Sequence, residues 1–468
     1  MMADVLVVGA GPTGLTLAVD LARRGVDVRI VERDSAFPAG SRGRGMQPRT
    51  LEVLDDLGLI EAVHAHGSPF PPIRAYQDGS VVWEGAMSEY TEPTADVPYP
   101  NVWMIPQWRT TRLLRERLAR LGGQVELGTE LIGFEQDDDG VTVTLRRDGV
   151  DEQVRVAYVV GADGGKGPTR RLLGVAFEGE TRDDFSMLVA DVRADGVDRD
   201  HWHLWREPMI GLCPMGGTDH FQLTIADPDR ELGTIEELSA YFAGRTGRAD
   251  IRLSGLTWLT VWRPNVRMAA RFRVGRVFLA GDAAHVHPPS GGQGMNTGVQ
   301  DAYNLGWKLG AVLGGAPAWL LDTYEQERLP VAAHVLGLSE RLLAARTLHR
   351  GDEERQLGLT YQDGPLAVDD RAERGAVVAG DRAPDGPVGD GRSLFEVFRG
   401  PHATVLAFGT ECEGAVRVTD PEASRIYDVR PGTLVLVRPD GYIGMITTDP
   451  ARLGGTGWYS PSVPVTVS

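Results

Sequence analysis

Residues 4–32 read DVLVVGAGPTGLTLAVDLARRGVDVRIVE, and this stretch decides the fold. Val5 to Val8 form the continuous apolar run that a strand buried on both faces of a parallel sheet requires. The Gly9-Ala10-Gly11-Pro12-Thr13-Gly14 turn follows. Leu15, Leu17, Ala18, Leu21 and Ala22 then recur at helical spacing until Gly25, and a second strand, Val26 to Val31, ends at Glu32. In such a unit Gly9 permits the tight turn, Gly11 lets backbone amides approach a pyrophosphate, and Gly14 lets helix and strand pack closely. The positive end of the helix faces the phosphates. Glu32 lies 18 residues beyond Gly14, with Arg33 next to it, and is placed to accept hydrogen bonds from both hydroxyls of an adenosine ribose. The stretch reads as a dinucleotide-binding unit, and by itself it leaves FAD and NAD both open.

The rest of the composition narrows the class. The chain has 468 residues, and 48 Lys plus Arg against 65 Asp plus Glu leave a net charge of −17, which makes it a poor polyanion binder; no nucleic-acid partner is expected. At roughly 100 to 200 residues per domain the length implies about two to four units, and 42% hydrophobic residues supply packed cores. No stretch approaches the ~18 to 20 apolar residues of a membrane helix, and the start, MMADVLVVGAGPTG, lacks the basic segment and long apolar middle of a cleavable leader. No membrane association and a cytoplasmic location are the expectation. The two cysteines, Cys213 and Cys412, lack the spacing of a zinc or dithiol site and are expected to be packed thiols.

Residues 41–54, SRGRGMQPRTLEVL, form a basic, Gly-rich loop leading into a helix. This loop resembles the one after the second strand in the single-component group A flavoprotein monooxygenases, the FAD-dependent aromatic hydroxylases. The similarity is to their phenol and polyketide branch, which includes rifampicin, anthracycline and angucycline hydroxylases. The resemblance implies that Arg42 and Arg44 flank the FAD pyrophosphate and the path to its ring. Ile105-Pro106-Gln107-Trp108-Arg109 resembles the family's Pro-Gln segment, in which Gln107 contacts FAD and Arg112 lies at a helix start. Leu131 would touch the adenine through its backbone, again by resemblance. Tyr158 to Gly165, YVVGADGG, resembles the Asp-Gly motif serving FAD and the nicotinamide nucleotide, with Asp163 as its acid. This motif departs from the family at Gly167, where a serine is usual. Lys166 and Arg170 remain to meet phosphate as charge-assisted donors.

Residues 276–308, RVFLAGDAAHVHPPSGGQGMNTGVQDAYNLGWK, carry the strongest single signal. Asp282 sits at the carboxyl end of a buried strand, where ligands of open α/β sheets bind, and a carboxylate there suits the ribityl hydroxyls of a flavin. The Gly291-Gly292-Gln293-Gly294 turn opens a helix whose free amides at Gly294, Met295 and Asn296 face the ligand. Positive dipole ends stabilise nearby anions, and reduced flavin carries its charge at N1. Pro288 lies beside the flavin edge in the family. His285 and His287, two residues apart with no third ligand near, make no metal site of known spacing, and no metal is assigned.

Residues 181–265 hold Trp202, Trp205, Trp258 and Trp262 with Phe185, Phe221 and Met209, and stretches such as Phe221 to Ile225 alternate as strands. The family places an antiparallel sheet here as a substrate roof, and Trp205, Phe221 and Pro288 are the expected substrate contacts. The region after Gly380 resembles the thioredoxin-like C-terminal domain of the phenol and polyketide hydroxylases; with Cys412 alone, packing or dimer contacts are its expected role. The expected architecture is α/β: a Rossmann-like (GR2-type) FAD-binding domain at 1–75, 101–180 and 266–348, an inserted antiparallel-sheet substrate domain at 76–100 and 181–265, a linker at 349–376, and a thioredoxin-like domain at 377–468. A homodimer is the expected assembly.

The resemblance implies an FAD-dependent monooxygenase that uses NADH or NADPH and dioxygen to hydroxylate an aromatic, polyketide-like substrate through a flavin C4a-hydroperoxide. The cofactor carries that chemistry, so no catalytic acid or base is named. The halogenase signature Trp-x-Trp-x-Ile-Pro is absent: Trp258 and Trp262 are followed by Arg263-Pro264. Baeyer–Villiger oxygenation on the same scaffold and a non-catalytic flavin- or drug-binding module stay open as alternatives.

Overall fold

The computed structural model describes residues 3–41, 43–181, 185–207, 209–288, 290–345 and 350–459. Its first sheet has six strands in the order Arg273–Val274, Val277–Leu279, Tyr158–Gly161, Val5–Val8, Val28–Glu32 and Val125–Leu127. The last five run parallel, with Val8 opposite Gly161 on one side and Val31 on the other. Val5 to Val8 are buried because both faces are covered. The Pro12–Arg23 and Gly294–Leu313 helices contribute to the core on one face. On the other, Leu6, Val8, Val31, Val159 and Val277 meet Leu131, Val141, Val143 and Leu145 of a three-stranded antiparallel sheet. Pro12 occupies the first helical turn, where its missing N–H is harmless, and buried Leu15, Leu17 and Leu21 each contribute about 1.5–3 kcal/mol by leaving water.

The second sheet has seven strands, in the order Arg252–Trp262, Met187–Asp195, Phe221–Ala226, Met209–Pro214, Trp202–Arg206, Ile73–Gln77 and Ser80–Gly85. All neighbours are antiparallel except Trp202–Arg206 beside Ile73–Gln77. The boundary expected between residues 75 and 76 therefore falls inside a strand that belongs to this sheet. The Ile235–Thr246 helix, started by a Thr234/Glu237 capping box, lays Leu238, Tyr241 and Phe242 on one face of the sheet.

A thioredoxin-like unit follows, with a five-stranded sheet in the order Val368–Asp369, Ile443–Thr447, Thr433–Val437, Thr404–Phe408 and Val416–Val418. Val368 pairs with Met445, so the end of the stretch expected as a linker is woven into this sheet. The unit is joined to the first by a dry ionic knot. Arg438 donates to both carboxylate oxygens of Glu327 at 2.6 and 3.0 Å and to Asp440, while Lys308 Nζ donates to Glu327 at 2.7 Å. Each of these side chains is at most 1% exposed. Burial opposes ionisation of Glu327, but Arg438 and Lys308 outweigh it and hold the carboxyl at about 2. Cys213 is fully buried and Cys412 half-buried, both as free thiols. Among the described residues no helix is long and apolar enough to cross a membrane.

Candidate functional site

Three turns meet at the carboxyl edge of the parallel sheet, each leaving one of three neighbouring strands: Gly9–Gly14, Gly161–Gly167 and Gly281–Ala283. Gly9 has φ +101°, and a Cβ there would run into the carbonyl of Ala162. A Cβ on Gly14 would overlap the Gly9 carbonyl, whereas one on Gly11 would meet no atom within 4 Å. Gly11 is also the N-cap of the Pro12–Arg23 helix and supplies no side-chain cap for the free amides of that first turn. Thr13 packs its side chain between Gly281 and Gly298, which ties the first turn to the third. Glu32 accepts from Ala10 N at 2.9 Å and from Asp34 N at 3.1 Å. These bonds fix the carboxylate at the strand tip. Arg33 is exposed beside Asp34.

In the second turn Asp163 Oδ2 accepts from the backbone and hydroxyl of Thr169 at 2.9 and 2.7 Å, while Oδ1 is buried with no partner. Burial, the largest influence, raises its pKa above the usual carboxylate range. A Cβ on Gly167 would overlap this carboxyl group, which accounts physically for glycine in place of the family's serine. Arg170, expected to meet phosphate, donates instead to the carbonyls of Ala283 and Gly165, both at 2.7 Å, and lies 3.6 Å from the centre of the Phe177 ring. It is a buried strut between the second and third turns, and Lys166 is exposed. Asp282, in the third turn, is exposed at the strand end.

The Gly294–Leu313 helix likewise begins without a side-chain cap, after two left-handed residues, Gly291 and Gly292, at φ +84° and +65°. Buried Asn296 braces this start: its Oδ1 accepts from Gln47 N at 2.9 Å and its Nδ2 donates to the carbonyls of Gly45 and Gly292. Met295 reaches the loop at Gly43, and Pro288 is buried. Behind the turn, His285 Nε2 lies 2.7 Å from Asp301 Oδ2, and Asp301 pairs with Arg328 at 2.7 Å and accepts from Gly281 N at 3.0 Å. Burial opposes the charge on Asp301, yet Arg328 and His285 keep it ionised, at about 2. His285 is thus a brace under the Asp282 turn, with His287 stacked on it at 6.2 Å.

The seven-stranded sheet turns one face to this cradle. Trp258, Asp191, Gln222 and Cys213 stand opposite one another on adjacent strands and so share a face. Asp191 Oδ2 accepts from Ser41 N at 3.1 Å and Gln222 Nε2 donates to Ser41 O at 2.7 Å, clasping the 41–45 loop to the sheet. Arg44 donates to Gln222 at 2.8 Å and lies 4.8 Å from the centre of the Trp202 ring. Its guanidinium thus sits against the roof. Arg42 lies outside the described residues. Gln107 accepts from Gly43 N at 3.1 Å and holds the same loop from below. Arg112 is exposed and paired with Glu116.

The two expected roof contacts, Trp205 and Phe221, are also corrected. Phe221 precedes Gln222 and Trp205 lies three residues beyond Trp202, so both point to the opposite face. They are 5% and 1% exposed in the core under the Ile235–Thr246 helix, Trp205 packing edge-on to Phe242 at 5.0 Å. Leu131 is buried between the two N-terminal sheets. The residues that sequence reading passed over are Gln47, Asp191, Gln222 and the Asp301–Arg328 pair. Asp191 and Asp301 had a visible signature, a lone acid inside an otherwise apolar strand or helix face. At the far end of the roof, beyond Phe70, a cavity of about 760 Å³ is lined by Phe70, Met104, Arg199, Pro214 and Met215, among others.

Residues 2–339 match the family described as FAD binding domain. A flavin-dependent monooxygenase of Mycobacteroides abscessus is 46% identical over 95% of this chain and 97% of its own length. A 6-methylpretetramide 4-monooxygenase of Streptomyces rimosus is 36% identical, covering 94% and 90%. Among solved structures, aklavinone-11 hydroxylase in a ternary complex with FAD and aklavinone aligns over 97% of this chain and 98% of that one, with a TM-score of 0.84 and 30% identity.

Proposed function

Since this chain belongs to the FAD binding domain family and is a flavin-dependent monooxygenase, we propose that it hydroxylates a polycyclic, polyketide-type aromatic held between the three-turn cradle and the Trp202–Gln222 face of the seven-stranded sheet. The observation that carries this reading is the convergence of two uncapped helix starts and the exposed carboxylate of Asp282 on one side of the roof. That donor and acceptor set fits FAD. Amides after Gly11, with Gly9, Pro12, Thr13 and Gly14 shaping the turn, suit the pyrophosphate; Glu32, beside Arg33, suits the adenosine ribose; Asp163 and Asp282 suit the hydroxyl-bearing chain. The Gly292–Asn296 segment suits the pyrimidine edge, with Pro288 beside it and Gln107 supporting the loop from below, and the backbone of Leu131 suits the adenine. Bound FAD supplies electron transfer from NADH or NADPH and the activation of dioxygen.

The chain's own residues orient and enclose. Asn296 and Gln47 hold the start of the Gly294–Leu313 helix, whose positive end would favour negative charge on a bound flavin. Asp301, held by Arg328 and His285, fixes the Gly281 amide and with it the direction of Asp282. The clasp of Asp191 and Gln222 on Ser41 closes the roof against the loop and excludes water from the space beneath. A cytoplasmic enzyme, active as a homodimer, completes the proposal. The test is NADH and NADPH consumption by the purified yellow protein across a panel of phenols and polyketide aromatics, with product mass. Stimulated consumption with a mass gain of one oxygen is expected; uncoupled or absent consumption across the panel refutes it. Product NMR separates ring hydroxylation from Baeyer–Villiger insertion.

A further inference from the structure

Resting on the reading of the roof as the substrate face, we propose that Arg44 is a specificity-determining residue that reads an ionised oxygen, a phenolate, enolate or carboxylate, on a flat aromatic substrate. The guanidinium is half-buried and oriented from three sides: Gln222 accepts from Nη1 at 2.8 Å, the Trp202 ring centre lies at 4.8 Å, and that of Phe70 at 5.9 Å. Gln222 is itself fixed by its bond to Ser41 O, so the head group is held rather than free to swing. Among the described residues no carboxylate lies within ion-pair distance of Arg44. The acid on the same face, Asp191, is committed through Oδ2 to the Ser41 amide.

A cation that is partly desolvated, oriented and without an ion pair among the described residues is a binding group for a planar anion. Trp202 and Phe70, set edge to face at 5.9 Å with their planes 64° apart, provide an aromatic wall beside it. The remaining N–H groups of the guanidinium fork match two oxygens of a carboxylate or of an ionised 1,3-dicarbonyl edge. The ligand class is therefore an aromatic ring carrying a negative oxygen at its rim, with the neutral ring bound more weakly.

Calorimetric titration of the FAD-loaded enzyme with 3-hydroxy-2-naphthoate and with its uncharged methyl ester tests this. The parent enzyme binds the anion more tightly. Arg44→Met weakens the anion by about ten- to a hundredfold, the loss of a charge-assisted pair, and shifts the ester by less than about threefold, while Arg44→Lys recovers part of the difference. Flavin absorbance of all three proteins stays equal. A parent that does not prefer the anion, or an Arg44→Met protein that loses both probes alike, overturns the inference. Loss of flavin in Arg44→Met returns Arg44 to the cofactor and also overturns it. A colourless parent protein instead marks failure of the flavin reading itself.

Discussion

Replacing Asp191 by Asn is expected to make the protein more stable at neutral and higher pH. The Asp191 side chain sits on the roof, 1% exposed, with Oδ2 on the Ser41 amide and Oδ1 buried without a partner. Burial pushes its pKa up to about 7, against the opposing pull of the Ser41 N–H and the Arg44 charge. A carboxyl group whose pKa is higher in the folded than in the unfolded chain favours folding most when protonated. Its contribution falls as pH rises from the unfolded value of 3.8 and reaches its minimum above about 7. At ~1.4 kcal/mol per pH unit, ionisation in place costs at most ~4 kcal/mol. Asn keeps an acceptor for Ser41 N but puts an amide N–H₂ where Oδ1 has no partner, a penalty of about 1–3 kcal/mol. The net gain at pH 8 is therefore about 1–3 kcal/mol, and the difference between variant and parent grows by ~3 kcal/mol between pH 5 and pH 8. Urea unfolding of the flavin-loaded proteins at both values, followed by tryptophan fluorescence, measures it. A variant less stable than the parent at pH 8, by a margin independent of pH, refutes the reasoning: the carboxylate would then be a favourable partner of the loop.

Asp282→Ala is expected to lose flavin roughly ten- to a hundredfold without losing the fold, since Asp282 is exposed in the third turn and its removal takes away charge-assisted acceptors. The visible spectrum beside the circular dichroism of the purified variant checks both halves. Glu32→Lys removes the acceptor of the Ala10 and Asp34 amides and reverses the charge at the position proposed for the ribose, so cofactor affinity is expected to fall by about 2–4 kcal/mol in equilibrium dialysis; unchanged affinity contradicts the assignment. Glu327→Ala leaves Lys308 buried without its counter-charge and strips Arg438 of one carboxylate, and is expected to destabilise the protein by about 3–5 kcal/mol in thermal or urea melts.

What the sequence made legible was local. The Gly9–Gly14 turn, the terminal acid Glu32 and the Asp282 strand end each lie within a few residues of the element that positions them, and turn chemistry fixes them without reference to the rest of the chain. Trp205 and Phe221 failed for the converse reason. Which face of a strand looks at the cradle depends on register across seven strands assembled from residues 73–85 and 187–262, and a shift of one residue exchanges the faces. Trp202, three positions away, lies on the face that Trp205 was expected to occupy. The partners of Arg44 were hidden because a loop residue goes where they are, and Gln222 and Trp202 are remote in sequence. Arg170 carried a charge that suggested phosphate, but two carbonyls reached it first. The domain edge near residue 75 was misjudged because Ile73–Gln77 pairs in parallel with a strand almost 130 residues later, which no local signal announces.

The ionic knot of Lys308, Glu327, Arg438 and Asp440 sets a rule for anyone recombining these enzymes. Two of its members come from helices of the cofactor-binding part and two from the turn closing a hairpin of the last sheet, and all are dry. A chimaera that grafts the tail of a relative onto this chain must bring an arginine and an aspartate to meet Lys308 and Glu327, or strand a naked charge at the seam. The graft point is thus dictated by four side chains, wherever the linker happens to run.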